Sequence, residues 1–153
     1  MSPGRPRVTT RVKFPYESGP DGNLRPYLWL NLETEAGASI RTRGLLDTGA
    51  DITVMDREYA QALRLGSDDL EVVSAQGPAG VMRAMRSVTM VRATLPGAPE
   101  IVVPLYPLFA EGMPTPLWGR DFMAVYSPAL DQRSLQFSLF AQQSQPSDEP
   151  DGR

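Results

Sequence analysis

Short runs in which apolar and polar residues alternate fill much of this 153-residue chain, and glycine or proline separates many of them. In Tyr27–Glu33, for example, Leu28, Leu30 and Leu32 fall on one face and the intervening residues on the other. A period of two is typical of half-buried strands. Because the runs are short and closely spaced, the sequence predicts an all-β fold, a small closed β-barrel-like or sandwich-like lobe.

Turn residues place the other elements along the chain. Further strands are predicted at 8–14, 39–46, 70–75, 81–95, 101–103 and 135–140. One or two short helices are predicted, at 58–63 and 120–126. The Gly-Pro-Ala-Gly run at 77–80 indicates the tip between two of these strands.

The length suits one domain with a core of its own. Residues 1–7 are rich in proline, glycine and arginine, and residues 141–153 contain almost no apolar side chain. Chain ends of this composition rarely pack against a core. We therefore expect a flexible N-terminal segment at 1–7, a folded domain at 8–140 and a disordered C-terminal tail at 141–153.

The chain contains neither histidine nor cysteine. Ser-His-Asp and Cys-His catalysis, disulfides, and thiolate or imidazole zinc sites are therefore excluded. Any acid–base catalysis would fall mainly to aspartate, glutamate, tyrosine or Lys13, which is the only lysine.

The net charge of −3 and isoelectric point of about 5.0 differ from the basic character of nucleic-acid-binding proteins. Residues 1–11 contain prolines and charges but no apolar run, which is unlike a secretory signal peptide. No apolar stretch approaches the roughly 18–20 residues that span a membrane. We expect a cytoplasmic protein with no nucleic-acid and no membrane partner.

The segment with the clearest chemistry is 44–51, Gly-Leu-Leu-Asp-Thr-Gly-Ala-Asp. An apolar strand delivers Asp47 onto a tight turn, where Thr48 adds a hydroxyl and Gly49 lets the backbone pass close by. A carboxylate fixed beside backbone N–H groups suits a general base. An isolated Asp-Thr-Gly is more often an ordinary turn, but the apolar residues around it and the helix after it favour catalysis.

Residues 45–51 resemble the active-site signature of the retropepsins, the single-lobe aspartic proteases of retroviruses and their cellular relatives. Residues 117–121, Leu-Trp-Gly-Arg-Asp, are similar to the second mark of that family, two apolar residues and a glycine that are often followed by Arg-Asp or Arg-Asn. Residues 74–82 lie where the family has a mobile hairpin flap. The resemblance covers about residues 8–140 and implies an acid protease lobe with a flap.

The resemblance also implies a role for each motif residue. The catalytic residues would be Asp47, Thr48 and Gly49. The substrate-binding residues would be Ala50, Asp51, Gln76, Gly77, Pro78, Ala79 and Gly80. Gly119 and Arg120 would support the site, Arg120 by pairing with Asp51. The substrate would be an extended peptide or protein segment, and no metal and no cofactor is implied.

The sequence has one Asp-Thr-Gly, whereas aspartic protease chemistry needs two carboxylates that share one proton. The other Asp-Gly pairs, Asp21-Gly22 and Asp151-Gly152, lie in polar segments. A complete pair therefore predicts a homodimer in which each subunit contributes Asp47. The prediction is an aspartic endopeptidase that hydrolyses peptide bonds with a water activated between the two carboxylates.

Two other classes of protein remain open. A catalytically inactive retropepsin-fold dimer could act as a peptide-binding or interaction module, and Pro78 favours it because proline removes an N–H from the flap tip. Trp118 also departs from the family, which usually has an aliphatic residue there. A phosphoryl-transfer enzyme of this kind would require a second aspartate at position 49, which is glycine here. It would also require alternating strands and helices, which the sequence does not predict.

Overall fold

The structure is a computed structural model that describes residues 7–77 and 80–144. Its elements follow in this order: β1 (Arg7–Pro15), β2 (Glu17–Ser18), β3 (Leu24–Arg25), β4 (Tyr27–Glu33), β5 (Ser39–Leu46), β6 (Val54–Asp56), α1 (Glu58–Ala62), a 3-10 helix (Ser67–Asp69), β7 (Leu70–Gly77), β8 (Gly80–Ser87), β9 (Val91–Leu95), β10 (Ala98–Leu105), β11 (Leu108–Ala110), β12 (Leu117–Trp118), α2 (Arg120–Met123), β13 (Ser127–Asp131) and β14 (Gln136–Ser144).

A nine-stranded sheet forms most of the lobe, in the order β10-β9-β4-β5-β12-β6-β11-β8-β7, and curls into half a barrel. Strand β5 pairs antiparallel with β4 and parallel with β12. The end of β5, at Leu46, therefore lies beside Trp118 in the middle of the sheet. The predicted all-β lobe with one or two short helices is confirmed.

A second sheet has three antiparallel strands in the order β1-β14-β13. Strands β1 and β14 come from opposite ends of the chain and pair from Arg7↔Ser144 to Pro15↔Gln136. Because this pairing continues along β1, β14 extends beyond residue 140, where we expected the tail to begin. The expectations for 1–6 and 145–153 lie outside the described residues.

One large cluster of buried residues joins the two sheets and both helices. Leu28, Leu30 and Leu32 on β4 are almost completely buried, as their alternation predicts. Tyr27, on the opposite face of β4, is buried as well. A side chain of the neighbouring strand covers it, because the guanidinium carbon of Arg43 lies 4.1 Å from the centre of the Tyr27 ring.

Residues 81–95 form two strands, whereas their alternation predicts one. Strand β8 ends at Ser87 and β9 begins at Val91. Between them the Ser87 hydroxyl donates to the Thr89 carbonyl, and the Thr89 N–H donates back to Ser87 Oγ at 3.2 Å. This local turn interrupts the ladder. The sequence pattern does not reveal it because threonine is also common in strands.

Other predicted bounds also differ from the structure. The helix predicted at 120–126 covers only Arg120–Met123, and the strand predicted at 101–103 covers Ala98–Leu105. Strands β6, β11 and β13 were not predicted. Strands β6 and β11 have three residues each and pair with strands distant in the sequence, so no local period marks them. Strand β13 pairs with the neighbouring β14, but its residues, Ser-Pro-Ala-Leu-Asp, do not alternate.

Asp69 fixes the base of the β7–β8 hairpin. Its carboxylate accepts from the Thr89 hydroxyl at 2.6 Å and from the Gly66 N–H at 2.8 Å, and its carbonyl accepts from the Val88 N–H. The bond from Thr89, followed by that from Gly66, lowers the pKa of the Asp69 carboxyl below its usual 3.8. The ionised form of Asp69 is therefore the one that the fold favours.

We predict that Asp69→Asn lowers the melting temperature by a few degrees at about pH 7 and by much less at about pH 2. A lowered folded pKa stabilises the fold above the unfolded value of 3.8, and this contribution is lost as the pH falls through the folded pKa. Thermal unfolding across this pH range checks the prediction. The matched control is Asp68→Asn, the same change at the exposed neighbouring residue. A loss of melting temperature in Asp69→Asn that does not change with pH would contradict the prediction.

Trp118 is completely buried beneath the middle of the sheet, and its indole N–H donates to the Leu28 carbonyl at 2.9 Å. The ring lies directly against Gly44, where an added Cβ would be 2.4 Å from an indole carbon. Only glycine at position 44 leaves room for an indole at 118. This pair accounts for the bulky residue at a position where an aliphatic one was expected.

We predict that Gly44→Ala destabilises the fold by about 1–3 kcal/mol, because its methyl overpacks the Trp118 ring. In a Trp118→Leu background the same change should cost much less, although Trp118→Leu is itself destabilising. Urea unfolding of the two single variants and the double variant measures this coupling. Additive effects of the two substitutions would contradict the prediction.

Candidate active site

Asp47 follows directly on β5 and is fixed through its backbone. Its N–H donates to the Trp118 carbonyl at 3.0 Å, which continues the pairing of β5 with β12. The preceding residues are held likewise, because the Leu45 N–H donates to the Pro116 carbonyl at 2.8 Å. The centre of the curled sheet therefore determines where the Asp47 side chain emerges.

The turn after β5 orients the Asp47 carboxylate. The Gly49 N–H donates to Asp47 Oδ1 at 2.9 Å, and the Ala50 N–H donates to the Asp47 carbonyl at 3.2 Å. Asp47 is half-buried, whereas Thr48 and Gly49 are exposed. The arrangement presents one oriented carboxylate at the surface, as a general acid or base requires.

Residues 47–53, here called the Asp47 loop, pack against the residues that follow β12. A Cβ on Gly119 would lie 2.6 Å from the Ile52 carbonyl and 2.8 Å from the Ala50 oxygen, so the two backbones touch there. The Arg120 N–H donates to the Ala50 carbonyl at 2.8 Å. The structure thus brings Gly119 and Arg120 together with the predicted site residue Ala50.

The Arg120 guanidinium forms an ion pair with the Asp51 carboxylate. Both side chains are largely exposed, at 62% and 78%. Exposed pairs of this kind add little to stability. The pair instead limits the directions in which the Asp51 side chain can point at the edge of the Asp47 loop.

Sequence reasoning missed Thr53 and Asp121. Thr53 is completely buried, and its N–H and hydroxyl donate to the two Asp121 carboxylate oxygens at 3.0 and 2.9 Å. The Gly119 N–H donates to Thr53 Oγ1 at 3.3 Å, and the Phe122 N–H donates to Asp121 Oδ1 at 2.9 Å. Asp121 stands in the second motif, but its partner is 68 residues away, so only the fold reveals the contact.

The predicted substrate residues Gln76, Gly77 and Gly80 lie at the far end of the β7–β8 hairpin, where Gly77 pairs with Gly80. Gly80 has a φ of +112°, a backbone conformation that side chains disfavour. Pro78 and Ala79, also predicted to bind substrate, lie outside the described residues. These hairpin residues therefore lie on strands at one edge of the sheet, whereas the Asp47 loop follows β5 in its middle.

An apolar cluster joins the hairpin to the Asp47 loop. Ala84 on β8 is buried with Leu108 and Ala110 on β11, and Ile52 and Val54 pack against them. Because Ile52 belongs to the Asp47 loop, the hairpin rests on the segment that carries the carboxylate. Apolar side chains therefore dominate the space between them.

A cavity of about 490 Å³ opens beside the hairpin. Its lining residues are Arg57, Val72, Met82, Arg83, Ala84, Met85, Phe109 and Glu111. Asp47 is not among them, so this cavity is separate from the oriented carboxylate.

Within residues 7–77 and 80–144, no group of three or more acidic residues is arranged to hold a metal ion. Over the same residues, no helix has the length and apolar character needed to cross a membrane.

Comparisons with known proteins agree with this geometry. A family model described as Aspartyl protease matches residues 35–122, more than half of the chain. No curated protein sequence matches. The crystal structure of a retropepsin-like aspartic protease from Rickettsia conorii superposes with a TM-score of 0.61 at 14% identity, over 94% of this chain and 100% of that one.

A second similar structure is the EIAV protease complexed with the inhibitor HBY-793. Its TM-score is 0.51 at 22% identity, over 65% of this chain and 86% of that one. At these identities the two structures are evidence for the fold, and the family model is evidence for descent. The chain belongs to the aspartyl protease family and has its retropepsin-like fold.

Proposed function

We propose that this protein is an aspartic endopeptidase that works as a homodimer, with a water activated between two Asp47 carboxylates. One observation carries the proposal. Asp47 is fixed by the Trp118 carbonyl, oriented by the Gly49 N–H and half-exposed, in a chain with a single Asp-Thr-Gly. One such carboxylate is half of the pair that the chemistry needs, so a second copy of the chain supplies the other.

Two carboxylates in contact hold one proton between them, because like charges that close cannot both ionise. The ionised carboxylate takes a proton from the water as its oxygen attacks the peptide carbonyl carbon. The protonated carboxylate donates to the carbonyl oxygen, which gives a tetrahedral diol. The protonated carboxyl then gives its proton to the amide nitrogen, while a diol hydroxyl gives its proton to the ionised carboxylate. The C–N bond breaks as the new carbonyl forms, and the pair again holds a single proton.

Thr48 and Gly49 stand at the exposed tip of the Asp47 loop, which suits contacts across the two-fold axis and to the substrate backbone. Ala50 and Asp51 would line the neighbouring subsites, with Arg120 holding Asp51. The β7–β8 hairpin would act as the flap, with its end, at Gln76, Gly77 and Gly80, over an extended peptide. Its apolar cluster with Ile52 favours apolar side chains near the cut.

The first test is Asp47→Asn, which we expect to lower peptide cleavage at least a thousandfold, roughly as loss of a catalytic group does elsewhere. Asparagine fills the same volume but cannot exchange the proton. Cleavage of a peptide library at about pH 4 to 7, read by mass spectrometry with and without a statine inhibitor, supplies the measurement. The control is Asp68→Asn, the same chemical change at an exposed position on the 3-10 helix, and it should cleave like the wild type.

Two outcomes count against the proposal. Cleavage that survives Asp47→Asn would remove Asp47 from the chemistry. A folded, dimeric wild type that cleaves nothing would favour the inactive binding module instead.

Mixing tests whether two copies of Asp47 act together. When wild type and Asp47→Asn chains exchange freely at equal amounts, only about a quarter of the dimers carry two aspartates, so the total activity should fall to about half that of the same wild-type amount alone. At fixed total protein, activity should follow the square of the wild-type fraction. A linear dependence on that fraction would contradict the shared site, and mixing with Asp68→Asn should leave activity unchanged.

A further inference from the structure

Thr53 and Asp121 lie at the end of the Asp47 loop away from the carboxylate, and their contacts form a closed network. The Thr53 hydroxyl donates to Asp121 Oδ1 and accepts from the Gly119 N–H, which uses its one donor and one of its acceptor sites. Asp121 Oδ2 accepts from the Thr53 N–H. A fully buried hydroxyl that both donates and accepts a hydrogen bond has one preferred position, which fixes the Thr53 side chain and backbone.

This network completes a set of contacts between two segments of chain. The segment from Trp118 to Asp121 holds the Asp47 loop at three points. Backbone hydrogen bonds hold it at Asp47 and at Ala50. A side-chain hydrogen bond from Thr53 to Asp121 holds it at the third. The backbones touch at Gly119, so the loop cannot settle closer to this segment if one contact is lost. A shift at Thr53 therefore moves the loop outward.

We infer that Thr53 and Asp121 are positioning residues for catalysis, which hold the Asp47 loop where two Asp47 carboxylates can meet. The inference rests on the proposed function. Neither side chain is hydrogen-bonded to Asp47, so the pair acts through the loop backbone. The reaction depends on the distance between two carboxylates, and a displacement of about 1 Å in such an arrangement can cost on the order of a hundredfold in rate.

The decisive substitution is Thr53→Val, which keeps the shape of the side chain and removes its hydroxyl. Asp121 Oδ1 then loses a donor, and the buried Gly119 N–H loses its acceptor. We expect kcat to fall about tenfold to a hundredfold while KM stays nearly unchanged, because the misplaced carboxylates affect the chemical step. Thr53→Ser restores the hydroxyl and should recover most of kcat.

Loss of stability alone would also lower activity, so the assay needs a matched core variant. Val91→Ala truncates a completely buried residue on β9, away from the Asp47 loop in sequence, and destabilises by leaving a cavity. Both variants are assayed well below their melting temperatures, and Val91→Ala should keep the wild-type kcat. If Thr53→Val does not fold, Thr53→Ala carries the test, because it removes the same hydroxyl without placing a second methyl group beside the Asp121 carboxylate.

The outcomes separate the two ideas. A wild type that cleaves, together with a folded Thr53→Val of unchanged kcat, would overturn this inference and leave the proposed function standing. An effect on KM alone, or no recovery in Thr53→Ser, would also overturn it. A folded, dimeric wild type without cleavage would overturn the proposed function and this inference with it.

Discussion

The contact between the Asp47 loop and the chain after β12 is the constraint on which the site depends. The Asp47 N–H reaches the Trp118 carbonyl, and the Arg120 N–H reaches the Ala50 carbonyl, so each segment fixes the other through backbone atoms. Gly119 allows this approach, since any side chain there would strike the Ile52 carbonyl. The two motifs of the sequence are therefore the two sides of a single backbone interface.

Side chains strengthen that interface in ways particular to this chain. The Trp118 indole fills the space that Gly44 leaves, and its N–H bonds to the Leu28 carbonyl, which ties β12 to β4 across β5. The Asp121 carboxylate, by contrast, bonds to Thr53 on the other side of the turn. A bulky residue at 118 is thus compatible with the fold because its partner at 44 has no side chain.

Much of the fold could be predicted from local patterns. The alternation of Tyr27–Glu33 and of Ser39–Leu46 gave the bounds of β4 and β5, because both strands bury one face against the core. The break at Thr89 could not be predicted because it comes from a local turn made by a residue that is also common in strands. The short strands β6 and β11 could not be predicted because they pair with distant residues. Local pattern is informative only where a strand is long enough to show its period.

The site was predictable to a similar extent. The residue types of 45–51 and 117–121 predicted a site at Asp47, because a carboxylate on a Thr-Gly turn is a recognisable local unit, and the structure brings these two segments into contact. Thr53 was missed because a threonine in an apolar run has no distinctive pattern, and its importance comes from a partner elsewhere in the chain.

The pairing of β1 with β14 has a consequence for how the chain folds. These strands join residues 7–15 to residues 136–144, so the three-stranded sheet cannot form until nearly the whole domain has been synthesised. Contacts between such distant residues make folding slow, because a long loop must close before they form. During translation the curled sheet and its Asp47 loop would emerge before β14, so the sheet that joins the two ends of the domain would form last.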